Sequence, residues 1–221
     1  MKLAYSTLQS IIEITDDTIH SIVVENPKYY YQMVKDFMSQ AEGKEGGWIV
    51  SENDKPLAIN KSVEVLFDFI NMNVNQKTLI TKIVNEMEQI ANKEENINDT
   101  MQLLAYIERF VMHLNEDFDL SINCDKLTIS QLLKSVGISV SVETDDLIEV
   151  IYSYMQLVRQ FIGEKLFIFV NLRSFVSQKQ FSDFAETIIG HNYQVIFLEN
   201  KEYDKIAGEN RLIVDQDLCE I

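Results

Sequence analysis

The sequence predicts an α/β fold in which a largely parallel sheet is joined to a block of helices. Two apolar segments predict the sheet. The first, 165–171, contains five consecutive apolar residues rich in β-branched and aromatic side chains, and 193–198 repeats this composition after a helical stretch. Strands that are buried on both faces have such sequences. The helical block is predicted by apolar residues at helical spacing within 76–92 and 99–114.

The first seventy residues are expected to begin with strands and to continue with one clear helix. Asn26 is a good N-cap and Pro27 is favoured at the first helical position, which predicts a helix from Pro27 to Gln40. The other expected elements are β-strands within 1–24, strands at 48–50 and 57–59, and a short helix at 62–70.

The rest of the chain is predicted to be helical and then α/β again. Thr128 and Gln131 form a capping box for a short helix that ends at Gly137. The further expected elements are helices at 76–92, 99–114, 145–161 and 177–189, a strand or extended link at 138–142, and strands at 165–171, 193–198 and 212–214. The predicted domains are an α/β head made of 1–70 and 161–221 and an inserted α-helical leg, 71–160.

Composition limits the classes of protein to which this chain can belong. It has 221 residues and a net charge of −16, and it lacks a run of about 18 apolar residues that would cross a membrane. Two cysteines are too few for a disulfide framework, which favours a cytoplasmic protein with free thiols. An excess of acids argues against nucleic acid as a partner in general, but it does not exclude a local basic patch.

The sheet has no recognisable nucleotide chemistry. A phosphate-binding loop needs glycines and a Lys-Ser/Thr pair, whereas the turn before the first helix contains Asn26 and Pro27. The central strand ends in Asn171 instead of a magnesium-binding aspartate. The three histidines, at 20, 113 and 191, match no triad order. We therefore expect a degenerate phosphate-loop-like head, and we do not expect an enzyme.

Two acidic groups are candidates for cation binding. The first contains Glu116, Asp117, Asp119 and Asp125 and follows a predicted helix end, where the helix dipole disfavours acids. The second contains Glu143, Asp145, Asp146 and Glu149. Two explanations remain open: the acids are solvated surface residues, or they supply the carboxylate oxygens that Ca²⁺ prefers.

Basic residues are scattered and form no run. A DNA site would need several of them to be brought together by folding or by oligomerisation. The candidates for DNA binding are Lys28, Lys126, Lys134, Arg173 and Lys179.

Three stretches, taken in order and spacing, resemble a known family. They are 23–34 (VVENPKYYYQMV), 128–143 (TISQLLKSVGISVSVE) and 164–171 (EKLFIFVN). Together they are similar to the small adaptation protein of subtype II-A CRISPR systems, the Csn2 family, over essentially the whole chain.

The resemblance implies properties that the composition does not. It implies a phosphate-loop-related head without nucleotide hydrolysis, a helical leg, and assembly as a ring-shaped homotetramer. It implies binding of double-stranded DNA, particularly at ends, supported by Ca²⁺. The implied calcium ligands are first Glu116, Asp119 and Asp125, and second Glu143, Asp146 and Glu149. It also implies action in spacer acquisition, alongside the CRISPR integrase proteins and the effector nuclease. The alternatives are a metal-dependent nuclease, an NTP-using enzyme with a degenerate phosphate loop, and a scaffold that binds only proteins.

Overall fold

The computed structural model describes residues 1–115 and 125–221. The strands in this part of the chain are β1 (Lys2–Tyr5), β2 (Ile12–Glu13), β3 (Ile19–Val24), β4 (Trp48–Glu52), β5 (Lys55–Leu57), β6 (Val63–Leu66), β7 (Leu166–Val170), β8 (Gln194–Glu199) and β9 (Glu209–Val214). The helices are α1 (Pro27–Ala41), α2 (Ile59–Ser62), α3 (Lys77–Ala91), α4 (Ile97–Asn115), α5 (Ile129–Ser135), α6 (Leu147–Phe161) and α7 (Gln178–Gly190), with a 3-10 turn at Leu172–Ser174.

Contacts divide the chain into two compact units. The first consists of Met1–Met72, Thr144–Tyr152 and Gly163–Ile221, and the second of Asn73–Glu143 and Ser153–Ile162. No helix in the described ranges is long and apolar enough to cross a membrane.

A parallel sheet of five strands organises the first unit. Its strand order is β6-β7-β8-β3-β9, and every neighbouring pair is parallel. β7 is completely buried, as its continuous apolar sequence predicts. The predicted α/β class, with a largely parallel sheet plus helices, is confirmed.

A small antiparallel sheet, ordered β2-β1-β4-β5, completes the first unit. Its inner face and α1 form one core with a face of the parallel sheet. Trp48 lies at the centre of this core, where its ring stacks on Phe37 at 4.0 Å and its Nε1 atom donates to the Met33 carbonyl at 2.8 Å. On the opposite face of the parallel sheet, Phe181 and Phe184 of α7 pack edge-on against Phe197.

Helix ends in both units follow local sequence. Thr128 and Gln131 form the predicted capping box of α5, and Gly137 adopts a φ of 69° beyond its end. Gly137 is suited to this position because a residue with a Cβ atom is disfavoured at positive φ. Ser177 and Gln180 form a second capping box at the start of α7.

The second unit consists largely of helices, and α3 packs against α5. The Thr100 hydroxyl of α4 donates to the Ala91 carbonyl at 2.8 Å, which ties the start of α4 to the end of α3. The extended segment 138–142 forms no strand. Its Val140 instead exchanges backbone hydrogen bonds with the Asn75 side chain, at 2.6 and 3.0 Å.

Three local predictions were wrong. The segment 62–70 is not a helix, because Val63–Leu66 is the edge strand β6 and pairs with β7. A short apolar segment does not distinguish a helix from a strand without its partner. The strand expected at 57–59 is Lys55–Leu57, and Ile59 begins α2. The helix expected from 145 begins at Leu147, because Asp146 accepts from the backbone N–H groups of Ile148 and Glu149.

Candidate functional site

The carboxyl edge of the parallel sheet is the place where a ligand binds in open α/β folds. β3 is followed there by Asn26, β7 by Asn171 and β8 by Asn200. Since α1 and α7 follow β3 and β7, both helices begin at this edge. Polar side chains and two helix N-termini are therefore gathered in one region, as in a nucleotide-binding head.

In the turn where a phosphate-binding loop would lie, the side chain of Asn26 forms the hydrogen bonds to the backbone N–H groups. The Asn26 Oδ1 atom accepts from the backbone N–H groups of Lys28 and Tyr29, at 3.1 Å each. Pro27, the first residue of α1, has no N–H to donate. The amides that would hold a phosphate are thus already hydrogen-bonded or missing.

The turns that follow β7 and β8, at the same carboxyl edge of the sheet, are hydrogen-bonded to each other. Asn171 adopts a left-handed backbone with a φ of 58°, and its N–H donates to the Leu198 carbonyl at 2.9 Å. Its side-chain oxygen accepts from the Asn200 N–H at 3.1 Å. The Tyr30 hydroxyl also donates to the Leu198 carbonyl, at 3.2 Å, and burial raises the pKa of Tyr30. The edge is a hydrogen-bonded surface instead of an open loop.

Glu199, the last residue of β8, is a buried acid that the sequence analysis missed. It is 1% exposed, and burial raises its pKa to about 7 although the nearby Arg173 opposes this. Its Oε1 atom accepts from the Arg173 N–H at 3.1 Å, and its Oε2 atom is buried without a partner in the described residues. The sequence does contain a signal for the burial of Glu199, because this acid directly follows the apolar segment 195–198.

Arg173 is not a surface residue, which corrects its prediction as a DNA contact. It is 5% exposed, and its guanidinium lies between the rings of Phe181, at 4.2 Å, and Tyr203, at 4.7 Å. It also lies 3.6 Å from a carboxylate oxygen of Glu209 and donates to the Asp204 carbonyl at 2.6 Å. These contacts leave the guanidinium inaccessible to a phosphate group of DNA.

The other predicted DNA contacts are exposed. Lys28 and Lys179 lie in the first unit and Lys126 and Lys134 in the second. Lys179 already forms an ion pair with Asp183, at 2.7 Å.

The predicted cation ligands are only partly described. Glu116 and Asp119 lie outside the described residues. Asp125, Glu143 and Glu149 are exposed, and Asp146 is engaged as the N-cap of α6. Within 1–115 and 125–221, the structure assembles no group of three acidic, histidine or cysteine side chains able to hold a metal ion. The calcium site stays a prediction.

Comparison with known families decides the relationship of this chain. The model of the CRISPR-associated protein family Cas_Csn2 matches residues 40–218, which is most of the sequence. The chain belongs to the CRISPR-associated Csn2 family. The resemblance found in the sequence is thereby confirmed.

Two relatives from this family match the chain over nearly its full length. The CRISPR-associated protein Csn2 of Enterococcus faecalis is 21% identical over 215 residues, which covers 95% of this chain and 96% of the relative. The CRISPR-associated protein Csn2 of Streptococcus agalactiae is 22% identical over 220 residues, covering 98% and 96%. The alignments therefore span nearly the full length of both relatives.

A solved structure supports the fold. The crystal structure of Stu0660 of Streptococcus thermophilus aligns with a TM-score of 0.59 and 15% identity, covering 97% of this chain and 75% of that one. At this identity the likeness concerns the fold alone.

Proposed function

We propose that this Csn2-family protein binds double-stranded DNA without sequence preference, particularly at DNA ends, and acts in the acquisition of CRISPR spacers. It would do so as a calcium-dependent, ring-shaped homotetramer, together with the integrase proteins and effector nuclease of the same system. In this proposal the protein performs no catalysis and holds DNA for enzymes that act on it.

The closed phosphate site supports the non-catalytic part of this proposal. Asn26 and Pro27 remove the amides with which a related sheet would bind a nucleotide. The chain belongs to a CRISPR-associated family. In its described residues, the amides that would bind a nucleotide phosphate are hydrogen-bonded or missing. Together these observations favour a binding protein over an NTP-using enzyme.

The strongly negative net charge of the chain is the reason why the proposal includes a bound cation. Four chains at −16 each sum to 4 × −16 = −64, which repels DNA unless part of it is neutralised. Glu116, Asp119 and Asp125 would supply the carboxylate oxygens that Ca²⁺ prefers, with Glu143, Asp146 and Glu149 as a second group. Exposed lysines would then contact phosphates, and binding would weaken steeply with salt.

The test compares a linear duplex with the same DNA as a closed circle, first with calcium and then with chelator, while oligomer size is measured. We expect calcium-dependent retention of the linear form and a tetramer that loosens in chelator. Equal binding of circle and line would remove end threading from the proposal. Failure to bind either form would leave a protein-only scaffold.

Two experiments distinguish the proposed DNA-binding protein from a nuclease and from an NTP-using enzyme. We expect linear duplex to stay intact with magnesium or manganese, and ATP to show no binding in calorimetry. Cleavage of the duplex would indicate a metal-dependent nuclease, and ATP binding would indicate a working nucleotide site.

A further inference from the structure

The outward face of α1 concentrates positive charge on a strongly acidic chain. Lys28, Tyr31, Gln32 and Lys35 lie on one side of the helix, because 3.6 residues complete a turn. All four are exposed, and Tyr31 retains 65% of its accessible surface. We define these four residues as the α1 stripe. The opposite side of the helix carries Met33 and Phe37, which are buried in the core.

The acid within α1 is engaged by hydrogen-bond donors other than the lysines of the stripe. Asp36 is half-buried, and its Oδ2 atom accepts from the Tyr5 hydroxyl at 2.8 Å and from the Gly47 N–H at 3.0 Å. Its Oδ1 atom accepts from the Gln32 amide at 2.8 Å. The helix thus places its carboxylate against neighbouring elements and its ammonium groups in solvent.

The two lysines of the stripe have no acidic partner within the described chain. Elsewhere in the first unit, Lys2 pairs with Asp54, Lys44 with Glu42 and Lys179 with Asp183. An exposed ammonium group that is not engaged by a carboxylate is available to a phosphate. This difference separates Lys28 and Lys35 from those neighbours.

The two lysines of the stripe lie close enough together to contact one duplex. They stand seven positions apart, which is about 10.5 Å along the helix axis at 1.5 Å per residue. Lysine side chains are long and flexible, so both ammonium groups can reach phosphates of the same duplex, with the Tyr31 ring between them.

We propose that the α1 stripe is a DNA-contacting surface of this protein and lies along the phosphate backbone of a duplex. This inference rests on the proposed function. It adds Lys35 and Tyr31 to the DNA contacts predicted from the sequence. Of those predicted contacts, it keeps the exposed Lys28 and does not include the buried Arg173. It reads no base, because its contacts are with phosphate and sugar.

The experiment measures binding of a fluorescent linear duplex to the full chain across salt concentrations, with calcium present. The test variant is Lys28→Gln/Lys35→Gln, and the control is Lys2→Gln/Lys44→Gln, which makes the same charge change at lysines already paired with acids. We expect the test variant to bind roughly 10- to 60-fold more weakly near 0.1 M salt and its log–log salt slope to be shallower by about 1.8, from two lost phosphate contacts. The control should match the parent protein, and Lys28→Arg/Lys35→Arg should retain binding.

The outcomes distinguish this inference from the function on which it rests. If the parent protein binds duplex and the test variant matches the control, the α1 stripe is not the DNA surface and the proposed function stands. If the parent protein binds no duplex at all, both fail. Calcium-dependent binding to anionic phospholipid vesicles, with duplex ignored, would assign the stripe to a membrane surface and overturn the inference. Thermal unfolding and oligomer size, measured for every variant, confirm that only the surface has changed.

Discussion

The Arg173 guanidinium lies 3.6 Å from a carboxylate oxygen of Glu209, and both side chains are almost completely buried. Glu209 also accepts from Arg211 at 2.9 Å. Burial alone would raise the pKa of Glu209, but the hydrogen bonds from Arg211 reverse this and lower it. These charges connect the turn after β7 with β9, and the arginine packs on Tyr203 of the intervening loop. The connection is structural, so its loss should affect stability first.

Replacing Arg173 with alanine should lower the free energy of unfolding by about 3 kcal/mol, because it removes one partner from a buried charge network. Urea denaturation followed by circular dichroism measures this loss. The control Lys179→Ala breaks an exposed ion pair and should cost less than about 1 kcal/mol. Equal stabilities for the two variants would contradict the structural role of Arg173.

Glu199 should make stability fall as the pH rises. Its pKa is raised by burial from 4.5 to about 7, so between these pH values the folded state keeps a proton that the unfolded state releases. Its contribution is fully present below pH 4.5 and is lost as the pH rises through 7. The change amounts to about 3 kcal/mol.

The variant Glu199→Gln stays neutral at every pH and can still accept the Arg173 N–H. Its stability relative to the parent should therefore increase by about 2.5 kcal/mol between pH 5 and pH 8. Denaturation curves at several pH values measure this difference, with the exposed Glu45→Gln as the matched control. Parallel curves for the parent and Glu199→Gln would show that Glu199 does not titrate in this range.

Asn26→Ala should destabilise the protein by about 1 kcal/mol, because the backbone N–H groups of Lys28 and Tyr29 lose their acceptor. Asn26→Asp keeps the capping oxygen but loses the amide that donates to the Gln216 carbonyl at 3.0 Å, so its stability should lie between those of the parent and the alanine variant. Thermal unfolding compares the three proteins. An alanine variant as stable as the parent would mean that water replaces the cap without cost.

The acidic residues proposed for calcium can be tested by a charge-matched comparison. The variant Glu116→Gln/Asp119→Asn/Asp125→Asn should bind Ca²⁺ at least about tenfold more weakly, since it loses three carboxylate ligands. The control Glu86→Gln/Glu94→Gln/Glu95→Gln removes the same charge from exposed acids outside both groups and should bind normally. Calorimetric titration measures both. Similar weakening in both variants would point to overall charge instead of a site.

Features governed by neighbouring residues could be predicted from the sequence. Asn26 caps α1 and Thr128 caps α5 as expected, because a cap needs only a side-chain oxygen and amides two or three residues away. The apolar runs of β7 and β8 predicted buried parallel strands for a similarly local reason. By contrast, the sequence predicts a helix at 62–70, whereas Val63–Leu66 is an edge strand that only the pairing with β7 distinguishes.

The sequence by itself determined the fold class, the capped starts of α1 and α5, the buried strands and the lack of a phosphate-loop motif, because short contiguous segments encode each of them. Only the tertiary structure decided which charges are exposed. Arg173 is buried through contacts with Phe181, Tyr203 and Glu209, and the Asp36 carboxylate is turned inward by Tyr5 and Gly47. Since burial of a charge requires partners that lie far along the chain, a list of lysines and arginines cannot distinguish a core arginine from an exposed lysine.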